Sequence, residues 1–283
     1  MILTKEMPGS MVVASQQESN KLDVASTKQR GILTKVDKSV KYGKQRGGFG
    51  IEILYPGLIF PNSNDTGIAG IGRIDQAKVT PGTLIPMHPH IDDEILTYLR
   101  KGKEQHVDSE GHTAEISKSK LMLMNAGASF YHEELVLDEG GTLEGLQIFI
   151  RPERGGLKPR VQFHDLKETF SVNQWRKLAG RGEGYPLEIR SSTWILDNRM
   201  TEGNIQTLSH LPMENLLCLF YVFAGTIKVN DDILLQAGES IFIENENPTF
   251  SALETSDVVL FITDPRAEFY IGGMYSGNQK KST

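Results

Sequence analysis

Cysteine is nearly absent: Cys218 is the single one in 283 residues. An intrachain disulfide is therefore impossible, and a cysteine-rich zinc module is excluded. Positive charge is also in deficit. The 30 Lys and Arg residues are outnumbered by 36 Asp and Glu, for a formal net charge of -6. That balance argues against non-specific binding to nucleic acid, which needs a concentrated basic surface to neutralise phosphates. Long apolar runs are missing as well, and none approaches the roughly 20 residues of a membrane-spanning helix. Met1 to Gln17 contains Glu6 and Pro8 where a secretory leader needs an unbroken apolar core, so the expected compartment is the cytosol, with no membrane partner.

What is present suits a packed β protein. Apolar residues make up 39% of the chain, enough for real cores, and 28 glycines fit many short strands joined by tight turns. The length suits two domains of ordinary size. Residues 1–45 are polar and weakly periodic, and Ser15 to Lys21 cannot bury enough apolar surface to offset its ordering entropy. An N-terminal extension, partly mobile, is expected there.

From Gly47 onward short apolar stretches alternate with turn residues. Phe49, Ile51, Ile53 and Tyr55 share one face of a strand. Further strands are expected at 70–75, 94–99, 120–124 and 142–150, with a hairpin turn at Asp108 to Gly111. Arg151 to Gly156 is a charged, glycine-containing break. A short helix is expected within Leu166 to Leu178, followed by strands at 187–196, 204–211, 216–223, 226–229, 240–243 and 257–262.

The halves repeat. Tyr98-Leu99-Arg100-Lys101-Gly102 matches Tyr221-Val222-Phe223-Ala224-Gly225 at an offset of 123 residues, each following an apolar strand and preceding a short strand and polar turn. A repeat at domain length implies one architecture used twice. The expected division is an extension at 1–45, a first barrel at 46–155, a second at 156–270 and a tail at 271–283.

Histidine is concentrated. Five of seven lie between positions 88 and 132. On a strand, residues two apart share a face, so His88 and His90 project together, and Glu94 joins them if the strand stays regular. About 40 residues on, Tyr131-His132-Glu133-Glu134 offers a second pair, His132 and Glu134. Facing one another, these pairs surround one point with three imidazoles and a carboxylate. Such a set suits a mid-series divalent metal with coordination positions left open. A lone histidine is more often a surface or hydrogen-bonded residue, and His106, His112, His164 and His210 are read that way. Applying the 123-residue offset puts Leu211, Met213 and Leu217 where His88, His90 and Glu94 stand. The second barrel is therefore expected to carry no metal.

Gly82, His88-Pro89-His90, Glu94 and Gly102, taken with Asn125 to Glu134, resemble the pirin family of the cupin superfamily, over roughly residues 45–265 and most specifically 82–134. The resemblance implies an all-β bicupin whose first barrel holds one divalent metal, iron(II) first, with Mn, Ni, Co, Cu or Zn as alternatives. It implies His88, His90, His132 and Glu134 as ligands. Glu94 is the alternative carboxylate, or a group that orients the ligands, as Tyr131 would be. Two departures stand out: Ile91-Asp92-Asp93-Glu94 where the family often has Arg-Gly-Phe-Glu, and Ser129 where a glycine is usual. Both fall at the expected pocket mouth.

The resemblance also implies a function. Family members open flavonols such as quercetin with dioxygen, releasing carbon monoxide, and Glu134 would take the substrate's hydroxyl proton. Met87, Phe130, Met122 and Met124 are candidate apolar walls for a planar aromatic substrate, although such residues are more often core. The alternative class is a non-enzymatic metal- or redox-responsive regulator that binds a transcription factor or a metabolic enzyme.

Overall fold

The computed structural model describes residues 31–277 apart from 61–62 and 209–210. Residues 1–30 of the extension expected at 1–45, the last residues of the tail and His210 lie outside the described residues. Within them the chain is built of strands, three short 3₁₀ turns and no α-helix.

The first barrel's main sheet runs, in spatial order, Tyr42–Arg46, Phe49–Leu54, Ile71–Val79, Leu143–Ile150, Glu94–Lys101, Lys120–Asn125, Thr113–Ser117, Lys103–Asp108, Phe130–Val136 and Leu84–His90. Arg160–Asp165 adds to it beside Lys120–Asn125. The second barrel has a seven-stranded sheet in the order Ile32–Val36, Ser240–Glu244, Leu217–Ala224, Ser256–Thr263, Thr193–Met200, Arg176–Gly180 and Leu187–Glu188. A four-stranded sheet of Ile205–Gln206, Phe250–Ala252, Thr226–Val229 and Ile233–Gln236 completes it.

The repeat is real at the level of strand order. Ile71–Val79, Leu143–Ile150, Glu94–Lys101 and Lys120–Asn125 lie side by side in the first barrel. Thr193–Met200, Ser256–Thr263, Leu217–Ala224 and Ser240–Glu244 lie in the same sequence in the second. Glu94–Lys101 and Leu217–Ala224 stand at the 123-residue offset, and each ends at a glycine with positive φ, +77° at Gly102 and +90° at Gly225. A Cβ at either would lie 2.5 Å from Leu143 Cα or 2.7 Å from Ser256 Cα, so both corners need glycine.

Ile71 to Asp75 is buried on both faces, which is why apolar Ile71 and Ile74, three apart and so on opposite faces, are both core. The largest apolar cluster takes Ile71, Leu96 and Ile148 from the first barrel and Ile195, Leu219 and Phe261 from the second. The main core is thus the seam between the barrels.

Three expectations change. Leu166 to Leu178 holds no helix: it crosses bends and a turn at Asn173 (φ +55°), then enters the Arg176–Gly180 strand. The Leu187 to Leu196 stretch is two strands, broken where the Arg190 side chain leaves to reach the first barrel. Ile32–Val36, read as polar extension, forms a strand against Ser240–Glu244 of the second sheet.

Candidate metal centre

The site begins at a sheet edge. Leu84–His90 ends the first barrel's main sheet and pairs there with Phe130–Val136, so the missing amide hydrogens of Pro86 and Pro89 are tolerated. Its register sets His132 opposite His88 and Phe130 opposite His90. Alternation along one strand brings His88 and His90 together, and strand pairing supplies the third ring.

The ring centroids of His88 and His132 are 4.3 Å apart, and His90 is 5.0 Å from each. One ligating atom from each of the three lies within 4.8 Å of the others. This is the group of that kind found among the described residues, and it lies wholly in the first barrel.

His88 and His132 are held toward the neutral form. Burial holds His88 below the usual histidine range, and burial with His88, His90 and His106 close by holds His132 far below it. His88 Nδ1 sits 2.9 Å from the Pro86 carbonyl oxygen. As a donor there it leaves Nε2 with its lone pair free. Both nitrogens of buried His132 lack a hydrogen-bond partner, as does His90 Nδ1. Buried imidazole nitrogens without partners, next to one another, are costly unless a cation uses their lone pairs. The donor set fits a mid-series divalent metal.

The two carboxylates singled out in the sequence have different surroundings. Asp92, at φ +54°, breaks the chain between His90 and Glu94, so Glu94 opens a new strand. Its Oε1 accepts from Asn125 Nδ2 at 2.8 Å and Arg190 Nε at 2.5 Å, and its Oε2 accepts from the Arg190 amide at 2.9 Å. Glu94 thereby ties the first barrel to the second. Glu134 is buried beside the imidazoles, with Oε1 3.7 Å from His132 Nδ1 and accepting from Gln147 Nε2 at 2.9 Å. Burial pushes its carboxyl up to about 7. Glu104, fully buried, is pushed well above the carboxylate range by burial and by Glu134, and its Oε1 has no partner.

Other expected residues fall as follows. Tyr131 points outward, 46% exposed, so it does not orient the ligands from within. Met122, Met124 and Phe130 are fully buried core, whereas Met87 is 48% exposed. His106 and His112 are hydrogen-bonded through Asp108, at 2.7 and 3.1 Å. His164 is half-buried on the Arg160–Asp165 strand. Cys218 is buried in the second barrel, its thiol pushed up to about 12 by burial.

Three residues at the site carried no sequence signal as a group. Asp93 is fully buried, with Oδ2 3.6 Å from His90 Nδ1. Arg151 is also fully buried, and Tyr275 lies with its ring centroid 5.2 Å from that of His90. Only the folded chain brings positions 93, 151 and 275 together.

A two-barrel β fold with three convergent histidines in one barrel defines a cupin metal protein. The comparisons with known proteins narrow this. The pirin family model matches residues 59–150. A Pseudomonas aeruginosa protein named "putative quercetin 2,3-dioxygenase" is 30% identical over 205 residues, 71% of this chain and 85% of its own length. A pirin-like protein of Caulobacter vibrioides is 28% identical over 203 residues, with the same 71% and 85% coverage. The crystal structure of YhhW from Escherichia coli superposes with a TM-score of 0.72 at 20% identity, covering 84% of this chain and all of that one. A nickel(II) complex of the same bacterial pirin gives 0.71 at 19% identity, covering 83% of this chain and all of that one. The chain belongs to the pirin family.

Proposed function

We propose that this protein is a mononuclear metal dioxygenase that opens flavonol-type, quercetin-like substrates with dioxygen. Its metal, iron(II) in the first instance, would be held by His88, His90, His132 and Glu134. The observation that carries this reading is the convergence of His88, His90 and His132, with both nitrogens of His132 and Nδ1 of His90 buried and without hydrogen-bond partners. The relatives named for quercetin 2,3-dioxygenase activity support the substrate class. A metal in such a site supplies Lewis acidity, lowering the pKa of a hydroxyl bound to it.

The chain's own residues would do the rest. His88, Nδ1 fixed by the Pro86 carbonyl, and His132, on the paired strand, would hold the centre rigidly. Glu134 is favoured over Glu94 as the fourth ligand because both oxygens of Glu94 are taken by Arg190 and Asn125. With its carboxyl near 7 and its orientation set by Gln147, Glu134 is placed to accept the substrate's hydroxyl proton.

The test is elemental analysis of purified wild-type and His88→Ala/His132→Ala protein, then oxygen uptake with quercetin on metal-loaded wild type. Near-stoichiometric metal that is lost in the double variant, with oxygen consumed, supports the reading. Metal without oxygen uptake leaves the centre standing and favours the regulator. Wild type that takes up no metal under any reconstitution condition overturns the reading.

A further inference from the structure

The segment after the second barrel returns to the first and is seated against the histidine site. The Tyr270 amide donates to the Pro152 carbonyl at 2.8 Å and that of Met274 to the Ile91 carbonyl at 2.9 Å. Two buried ions grip the segment. Asp93 Oδ1 accepts from the Ser276 amide at 2.8 Å and the Ser276 hydroxyl at 2.7 Å, and Asp93 Oδ2 from the Tyr275 amide at 3.0 Å. Arg151 donates to the carbonyls of Ser276 at 2.8 Å and Gly277 at 2.9 Å. Without the segment, buried Asp93 would lose the hydrogen bonds given above, which is costly in a dry interior, while Arg151 would keep its ion pair with Asp65 and lose two carbonyl acceptors. Gly72 has no room for a Cβ because Ser276 lies on it. Ile91, Asp92 and Asp93, where the chain departs from the family's usual pattern, are the residues this seat uses: the Asp92 carbonyl lies under Gly273.

Seated in this way, the segment contributes an aromatic ring to the site. The Tyr275 ring lies 5.2 Å from His90 and 5.5 Å from Phe149, with the Arg73 guanidinium 5.2 Å from its centroid. Tyr275 is half-buried while His90 is 4% exposed, so the ring has one side on the ligand and another toward solvent.

We propose that Tyr275 is a specificity-determining residue, the wall on the His90 side of the metal centre, where a planar aromatic ligand stacks on entry. This deepens the flavonol reading and rests on it for the ligand class. The wall itself rests on the contacts of Tyr275 with His90 and on the Asp93–Arg151 grip.

Two measurements on the full chain test it. In metal-free protein, carbethoxylation of His90 by diethyl pyrocarbonate is followed by peptide mass spectrometry. Labelling several-fold faster in Tyr275→Ala than in wild type is expected, with Tyr275→Phe close to wild type because the contact is through the ring. Gly72→Ala, which displaces Ser276 without touching a histidine, should give the same acceleration. In cobalt(II)-loaded protein, anaerobic titrations with quercetin and with azide follow the visible bands. Tyr275→Ala should weaken quercetin about fivefold, the worth of one aromatic contact, and leave azide unchanged. His90 labelling that stays at the wild-type rate in Tyr275→Ala overturns the proposal. An azide affinity that falls in parallel with quercetin also overturns it, because the effect would then be on the metal. Quercetin that fails to bind wild type would sink the flavonol reading alone, and the labelling rates would still decide whether Tyr275 is the wall.

Discussion

Glu94 and Glu134 are both buried carboxylates close in sequence to the histidines, and their partners set them apart. Glu94 carries the charge of Arg190 and the amide of Asn125, whereas Glu134 faces imidazole and Gln147. Glu134→Gln is expected to lower bound metal, with Glu94→Gln keeping it, as read by elemental analysis. Glu94→Gln instead leaves Arg190 short of its partner and should cost about 3 kcal/mol in denaturant unfolding.

The Glu134 carboxyl also makes the metal-free protein sensitive to pH. Its folded value of about 7 lies above the 4.5 of an ordinary glutamate, so the fold favours the protonated form. Its contribution to stability is complete below 4.5 and is lost as pH rises through about 7. Thermal unfolding of metal-free protein should show a falling midpoint across that window, flattened in Glu134→Gln. Metal uptake should run the other way and strengthen as pH rises toward 7, because a ligating carboxylate must first lose its proton.

At the scale of elements, the edge strand Leu84–His90 and its partner Phe130–Val136 make the site, and the repeated glycine corners make the barrels. Gly102 and Gly225 both sit at positive φ with backbone packed where a Cβ would go. Gly102→Ala and Gly225→Ala should each cost about 1–3 kcal/mol, measured by chemical denaturation. A Gly111→Ala control, at positive φ but in open space, should cost less, because only backbone strain is added.

At the scale of the molecule, the two barrels share their largest core and a buried ionic belt. Asp197 of the second barrel accepts from the Tyr98 hydroxyl at 2.8 Å and from Arg176 at 2.6 Å, while Arg100 of the first donates to Asp257 at 2.8 Å. Separating the barrels would expose apolar surface and strand these ions in one step. Calorimetry should therefore show a single cooperative transition, with calorimetric and van't Hoff enthalpies equal. Residues 46–155 produced alone should aggregate, because Leu96, Ile148 and their neighbours in the seam would face water. Two separate transitions would show that the seam does not couple the barrels.

The sequence by itself determined the all-β class, the duplication and the histidine set. These are written in local spacing: period-2 alternation, glycine at the corners, and histidines two apart on one strand with another about 40 residues on. It also carried the absence of histidine at the second barrel's repeat-equivalent positions, Leu211 and Met213, since residue types need no coordinates to compare. The tertiary structure decided what depends on contacts between distant residues. Spacing left Glu94 and Glu134 as equal candidates, and their different surroundings come from contacts such as the approach of Arg190 to Glu94 from 96 residues away. Leu166 to Leu178 lost its expected helix to the pairing of Arg176–Gly180 with Thr193–Met200, a tertiary demand that overrides a weak local preference. Tyr275 meets His90 because the buried Asp93 carboxylate takes its partners from Tyr275 and Ser276, with Arg151, itself paired with Asp65, holding the Ser276 carbonyl.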